Sequence, residues 1–94
     1  MTDPRQDIDF YTFVLSIGSS VLVHLGEAPH PETGKPGARN LPLAHQSIEI
    51  LSMLEVKTRG NLTAQERSLL DQVLYDLRMR FVASQQAGQA PKEL

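Results

Sequence analysis

The sequence predicts an all-α protein, a bundle of three helices within a chain of 94 residues. Apolar residues recur at helical spacing in three segments, a capping box opens the third, and a loop rich in proline and glycine separates the first two. We expect helices at about residues 8–25, 42–58 and 64–84.

The first predicted helix is apolar around more than half of its circumference. Gly26 follows it as the left-handed residue that commonly ends a helix. A helix of this kind is buried on most sides or lies in a membrane. Its apolar run is shorter than the roughly 20 residues needed to cross a bilayer, so we expect no membrane span. The main face contains Phe10, Phe13, Val14, Ile17, Val21 and Leu25.

The second predicted helix has Asn40 or Leu41 at its cap, Pro42 in its first turn and Gly60 beyond its end. Met53 and Val56 fall on the side opposite its apolar face. The apolar face groups Leu43, Ala44, Ser47, Ile48, Ile50, Leu51 and Leu54.

The third predicted helix opens with Thr63 and Glu66, which form a capping box. Tyr75, Met79 and Val82 gather on a second patch that a one-sided helix does not require. The main stripe contains Leu69, Leu70, Val73, Leu74, Leu77 and Phe81.

Helical periodicity predicts one domain over residues 8–84, with flexible segments at 1–7 and 85–94. Two companion helices cover only part of the first helix, and exposed apolar surface of this kind usually marks an interface. We therefore expect a homodimer; the alternative is a monomeric bundle in which the other two helices cover the first. The expected interface with a second copy or another partner comprises Tyr11, Leu15, Gly18, Leu22, Tyr75, Met79 and Val82.

Composition excludes several classes of protein. The formal net charge of -2 lacks the basic excess that steers proteins onto nucleic acid. With no cysteine, the chain has no disulfide framework, thiolate nucleophile or cysteine-rich zinc site. The polar, acidic amino terminus does not resemble a signal peptide, so we expect a cytoplasmic protein.

Candidate catalytic groups are weak. His45 and Glu49 have the spacing of two metal ligands on one helix face, but a third ligand is not indicated, and solvated side chains are the better interpretation. Asp76 and Arg80 are expected to form a solvated ion pair. The serines fall on predicted helices rather than on a nucleophile elbow. We expect no enzyme activity, no catalytic residue and no cofactor.

The connection over residues 27–40 is the best local candidate for a functional segment. Unstructured loops of this length in a compact domain are usually functional or disordered, although this one can equally be a spacer. A tight turn is expected at residues 31–34, with glycine supplying the positive φ. The candidate partner-binding residues are Pro29, Pro31, Thr33 and Gly34.

Five stretches together resemble the small bacterial family known as domain of unknown function 1844, in order and with matching spacing over about residues 8–82. The resemblance implies a short, mostly helical cytoplasmic protein without an assigned activity. Where the family often has Lys and Asp in the second helix, this chain has His45 and Glu49, which weakens a metal role for that pair. The stretches are Phe13–Ser16, Val23–Glu27, Pro31–Gly34, Lys57–Thr63 and Leu74–Phe81.

These observations lead to three functional hypotheses. The first is a non-enzymatic protein–protein interaction module that works as a homodimer. The alternative is a small ligand- or metal-binding protein that uses His24, Glu27 and His30. The third, peripheral membrane association through the first helix, ranks last because that helix lacks a basic face.

Overall fold

The computed structural model of the protein describes residues 9–30, 32–35 and 39–89. Three helices pack against one another, and the described ranges contain no strand, so the all-α prediction is confirmed. The predicted flexible segment at residues 1–7 lies outside the described residues. The helices are α1 (Phe10–His24), α2 (Leu41–Lys57) and α3 (Ala64–Gln89).

The end of α3 differs most from the predicted boundaries. The helix continues to Gln89 rather than ending near Ser84, so the first part of the predicted tail is helical. Gln85 and Gln86 are good helix formers, and no strong helix-breaking residue occurs before Pro91. The rest of the predicted tail, residues 90–94, lies outside the described residues.

The ends of α1 are fixed by local hydrogen bonds. Asp9 Oδ1 accepts a hydrogen bond from the Thr12 amide at 2.8 Å, which satisfies one of the free amides of the first turn. This backbone hydrogen bond lowers the pKa of the exposed Asp9 carboxyl because it stabilises the charged form. Gly26 follows with φ 76°, which confirms the predicted glycine stop.

The junctions of α2 and α3 also follow the sequence signals. Asn40 Oδ1 caps α2 by accepting from the Leu43 amide at 3.1 Å, and the Asn40 amide donates to the His24 carbonyl at 2.7 Å. At the start of α3, Thr63 N donates to Glu66 Oε1 at 2.9 Å and Glu66 N donates to Thr63 Oγ1 at 3.1 Å. The capping box is therefore confirmed.

The core lies where the three helices meet, and each helix contributes buried aliphatic side chains to it. The predicted main stripe of α3 is confirmed, because its members are buried or packed against the core. Burying these surfaces supplies the dominant favourable free energy of folding. The buried apolar residues are Val14, Val21, Leu25, Ala44, Ile48, Leu51, Leu70, Leu74 and Leu77.

Three residues that helical periodicity places on the apolar faces of α1 and α2 lie at the edges of those faces. Phe13 of α1 is 42% exposed, and Leu43 and Ile50 of α2 are 41% and 39% exposed. A helix with only two neighbours is covered on a limited arc, so side chains at the edge of a broad apolar face stay in contact with solvent.

Gly18 is buried where α1 meets α3, and its predicted place in an interface stays a prediction. It is a buried residue of α1, and a Cβ built at this position would lie 3.5 Å from Val73 Cγ1 and 3.8 Å from Leu77 Cδ1. The small residue therefore allows α1 and α3 to approach within one chain.

We expect Gly18→Ala to raise the free energy of unfolding by about 0.5–1 kcal/mol and Gly18→Leu to lower it by about 1–3 kcal/mol. The alanine methyl would make ordinary van der Waals contacts with α3, whereas the larger side chain would push α1 and α3 apart. Urea denaturation followed by circular dichroism measures both effects. Equal stability of the two variants would contradict the close approach of α1 and α3.

Candidate interaction surface

A row of three large apolar side chains lies exposed on the outer side of α3. Tyr75, Met79 and Val82 are 68%, 56% and 46% exposed, and we call them the α3 seam. At 100° per residue, they point away from the buried Leu74 and Leu77, which face the core. The predicted second patch of the third helix is therefore on the surface.

Polar residues continue and flank the α3 seam. Gln72 and Gln86, both exposed, extend the same row at its two ends. Arg78 lies beside the row on the side of α2 and donates to Ser52 Oγ at 2.7 Å. Asp76 lies on the other side, toward α1. The α3 seam is thus an apolar strip bordered by polar and charged groups, as in many protein interfaces.

A groove between α1 and α3 is lined by three of the other predicted interface residues, Leu15, Gly18 and Leu22. We call it the α1–α3 groove; its volume is about 350 Å³. Leu15 stands at its rim, 49% exposed, and Leu22 is partly buried against the core. Tyr11, near the start of α1, is 42% exposed. The groove is lined by Leu15, Gly18, Ser19, Leu22, Gln72, Val73, Asp76 and Leu77.

An ion-pair cluster ties the loop after α1 to α3. Arg80 donates to Asp76 Oδ2 at 2.8 Å, which confirms the predicted pair, and to Glu27 Oε1 at 2.7 Å. The hydrogen bond that Arg80 donates to Asp76, with a second donated to Glu27, raises the pKa of the Arg80 guanidinium. All three side chains are partly exposed, so the cluster orients the loop more than it stabilises the fold.

The loop between α1 and α2 turns at residues 32–35, which include the described part of the turn predicted at residues 31–34. Gly34 has φ 71°, and its amide donates to the His30 carbonyl at 2.7 Å. Thr33 Oγ1 accepts from the Lys35 amide at 3.2 Å, while Pro29 is exposed. Pro31 and residues 36–38 lie outside the described residues. A partner-binding role for this loop stays a prediction.

The alternative hypothesis is a small ligand- or metal-binding protein that uses His24, Glu27 and His30. Glu27 is instead bonded to Arg80, and His30 Nδ1 accepts from the Glu32 amide at 3.2 Å. Within the part of the chain that the structure describes, there is no group of three or more histidine and carboxylate side chains placed to hold a metal. His24 and His30 do line a common cavity of about 410 Å³, so a role in binding a small ligand stays a prediction.

His45 and Glu49 are solvated, as predicted. Their side chains are 58% and 63% exposed, and His45 Nε2 lies 3.5 Å from Glu49 Oε2. The His45 ring also packs near Phe81 of α3, with 5.6 Å between ring centroids. The sequence did not indicate this contact between α2 and α3.

Comparison with known families gives a match over most of the chain. The family described as a domain of unknown function, DUF1844, matches residues 7–83. The chain belongs to the DUF1844 family. The DUF1844 match spans all of α1 and α2 and ends beside Ser84, the last buried residue described on α3. The family resemblance seen in the sequence is therefore confirmed, and the family description assigns no function.

Two further comparisons bear on this DUF1844 domain. No curated protein and no solved structure is found to be similar to it. Among the helices described over residues 9–89, none has the length and apolar character needed to cross a membrane.

Proposed function

We propose that this domain is a non-enzymatic protein–protein interaction module that works as a homodimer. The observation that carries the proposal is the α3 seam, whose three side chains are 46–68% exposed on the side of α3 opposite the core. Leu70, Leu74 and Leu77 already fill the core side of the same helix, so the seam residues are not needed to pack this chain. Exposed apolar strips with polar borders are typical of protein interfaces.

The types of residue in the strip also favour an interface. Tyrosine, methionine and arginine are enriched in protein interfaces, and Tyr75, Met79 and Arg78 occupy this side of α3. Arg78 is held by its hydrogen bond to Ser52, which reduces the side-chain entropy that binding would cost. Of the polar groups nearby, Asp76 pairs with Arg80, while Arg78 and Gln72 donate hydrogen bonds to serine hydroxyls. The cytoplasmic location expected from composition stays a prediction.

Sedimentation of the full chain at increasing concentration tests the proposal. We expect a dimer at micromolar concentration, and we expect Met79→Ala to weaken self-association about tenfold. Met53→Ala is the matched control, because Met53 of α2 is 53% exposed, against 56% for Met79. A wild-type chain that stays monomeric at about 100 μM, or a larger effect of Met53→Ala, would contradict the proposal.

A further inference from the structure

The α3 seam follows the spacing with which helices pair. Counting a heptad from Gln72, Tyr75, Met79 and Val82 occupy successive fourth, first and fourth positions, and Gln86 occupies the next first position. Residues at these positions form the contact row of paired helices. We infer that the α3 seam binds the α3 seam of a second copy of this chain, antiparallel, about a two-fold axis between residues 80 and 81. This inference rests on the proposed function and specifies its geometry.

Charges that flank the seam disfavour the parallel arrangement. In a parallel pair, the residue before a first heptad position of one helix faces the residue after the next fourth position of the other. Asp71 precedes Gln72 and Asp76 follows Tyr75, so Asp71 of each copy would face Asp76 of the other. Two pairs of carboxylates would meet at the interface, and like charges in such positions select against an orientation. Asp71 also lies 3.5 Å from Arg67 and Asp76 2.8 Å from Arg80, so pairing in this orientation would crowd existing ion pairs.

Two other antiparallel registers are also less favourable. With the axis at residue 77, Arg78 lies beside Arg78 of the second copy and Asp76 lies beside Asp76 of the second copy. The hydrogen-bond partner of Arg78 is the uncharged Ser52 hydroxyl, which does not offset the repulsion between the two guanidinium groups. With the axis between residues 73 and 74, Asp71 faces Arg78, but Met79 then lies opposite Ser68. That register removes the apolar partners that the seam requires.

The axis between residues 80 and 81 satisfies both requirements. Met79 of each copy lies opposite Val82 of the other, so the centre of the contact is apolar. Tyr75 lies opposite Gln86, whose amide can hydrogen-bond the tyrosine hydroxyl. Along the borders, Asp76 lies nearest Ala83 and Arg78 lies nearest Gln85, so neither of these two charges is placed beside a like charge.

The length of α3 supports this register. Ser84 is the last buried residue described on α3, and its carbonyl accepts from Arg39 at 2.8 Å, yet the helix continues to Gln89. The exposed turn after Ser84 adds no described burial within its own chain. In the inferred dimer it supplies Gln86 opposite Tyr75, so that about five helical turns of each copy overlap.

Single cysteines test the register, because the chain contains no natural cysteine. Full chains with Met79→Cys and Val82→Cys are mixed and oxidised with diamide, and intact mass spectrometry separates mixed from self-linked disulfides. Cysteine is a small apolar residue, which preserves the character of the seam. We expect the mixed disulfide to exceed either self-linked product several-fold, because only that pair brings the Cβ atoms within disulfide reach.

Other results would overturn the inference. Self-linking of Met79→Cys alone would show a parallel pair, and linking of Tyr75→Cys to Met79→Cys would show an axis near residue 77. A dimer that sediments normally but gives no disulfide in either mixture would show that a different surface pairs, while the proposed homodimer stands. A monomeric chain in sedimentation would overturn the proposed function as well.

Discussion

Replacing Leu51 with alanine should lower the free energy of unfolding by about 2–5 kcal/mol. Leu51 is 0% exposed and belongs to the central cluster of α2 and its two neighbours. The truncation removes apolar burial and leaves a cavity that rigid helices fill only in part. Because small domains have total stabilities near the lower end of about 5–15 kcal/mol, this loss would leave a substantial unfolded fraction.

Ile50→Ala provides the matched control on the neighbouring residue. Ile50 is 39% exposed, so its truncation should cost less than half as much as that of Leu51. Urea denaturation at one fixed protein concentration measures both variants, since dimerisation makes apparent stability depend on concentration. Equal losses would mean that another subunit covers this side of α2, which contradicts a dimer formed through the α3 seam.

The sequence predicts well the features whose cause is local. The Thr63–Glu66 capping box and the glycine stops at Gly26 and Gly60 depend on residues a few positions apart, and each is present in the structure. The core stripe of α3 is equally predictable, because helical periodicity determines which side chains lie on the same side of the helix.

Features that depend on how the helices pack against one another cannot be predicted from local sequence signals. Gly18 reads as a small residue suited to close approach, but only the packed bundle shows that α3 is the helix that approaches it. Phe13 and Ile50 fall at the edges of apolar faces, and how far a neighbouring helix covers an edge depends on packing. The bond from Arg80 to Glu27 joins residues distant in sequence.

The candidate site also has one feature that the sequence predicts and one that it does not. Periodicity separates Tyr75, Met79 and Val82 from the core stripe, so the α3 seam is predictable as a patch. The role of the helix extension to Gln89 cannot be predicted from the sequence. Neither the good helix formers after Ser84 nor Gly88 indicates where the other two helices stop covering α3.

Tyr75→Ala should weaken self-association by about 30-fold or more, equivalent to about 2 kcal/mol or more. Tyr75 is 68% exposed and supplies the largest side chain of the α3 seam. Tyrosine is among the side chains that most often contribute a large part of the binding energy of an interface. The stability of the separated monomer should change by no more than about 0.5 kcal/mol, because an exposed side chain contributes little to the core.

The chain contains two tyrosines, so Tyr11→Ala is the matched control for the same chemical change. Tyr11 is 42% exposed near the start of α1, away from the α3 seam, and its truncation should leave the dissociation constant within about threefold of the wild type. Sedimentation equilibrium gives the dissociation constants of both variants. Urea denaturation at protein concentrations below the dissociation constant gives the stabilities of the monomers. If Tyr11→Ala weakens self-association more than Tyr75→Ala, then the pairing surface includes α1 and the α1–α3 groove. In that case the exposure of Tyr75, Met79 and Val82 would need another partner to account for it, because a dimer through α1 leaves the outer side of α3 uncovered.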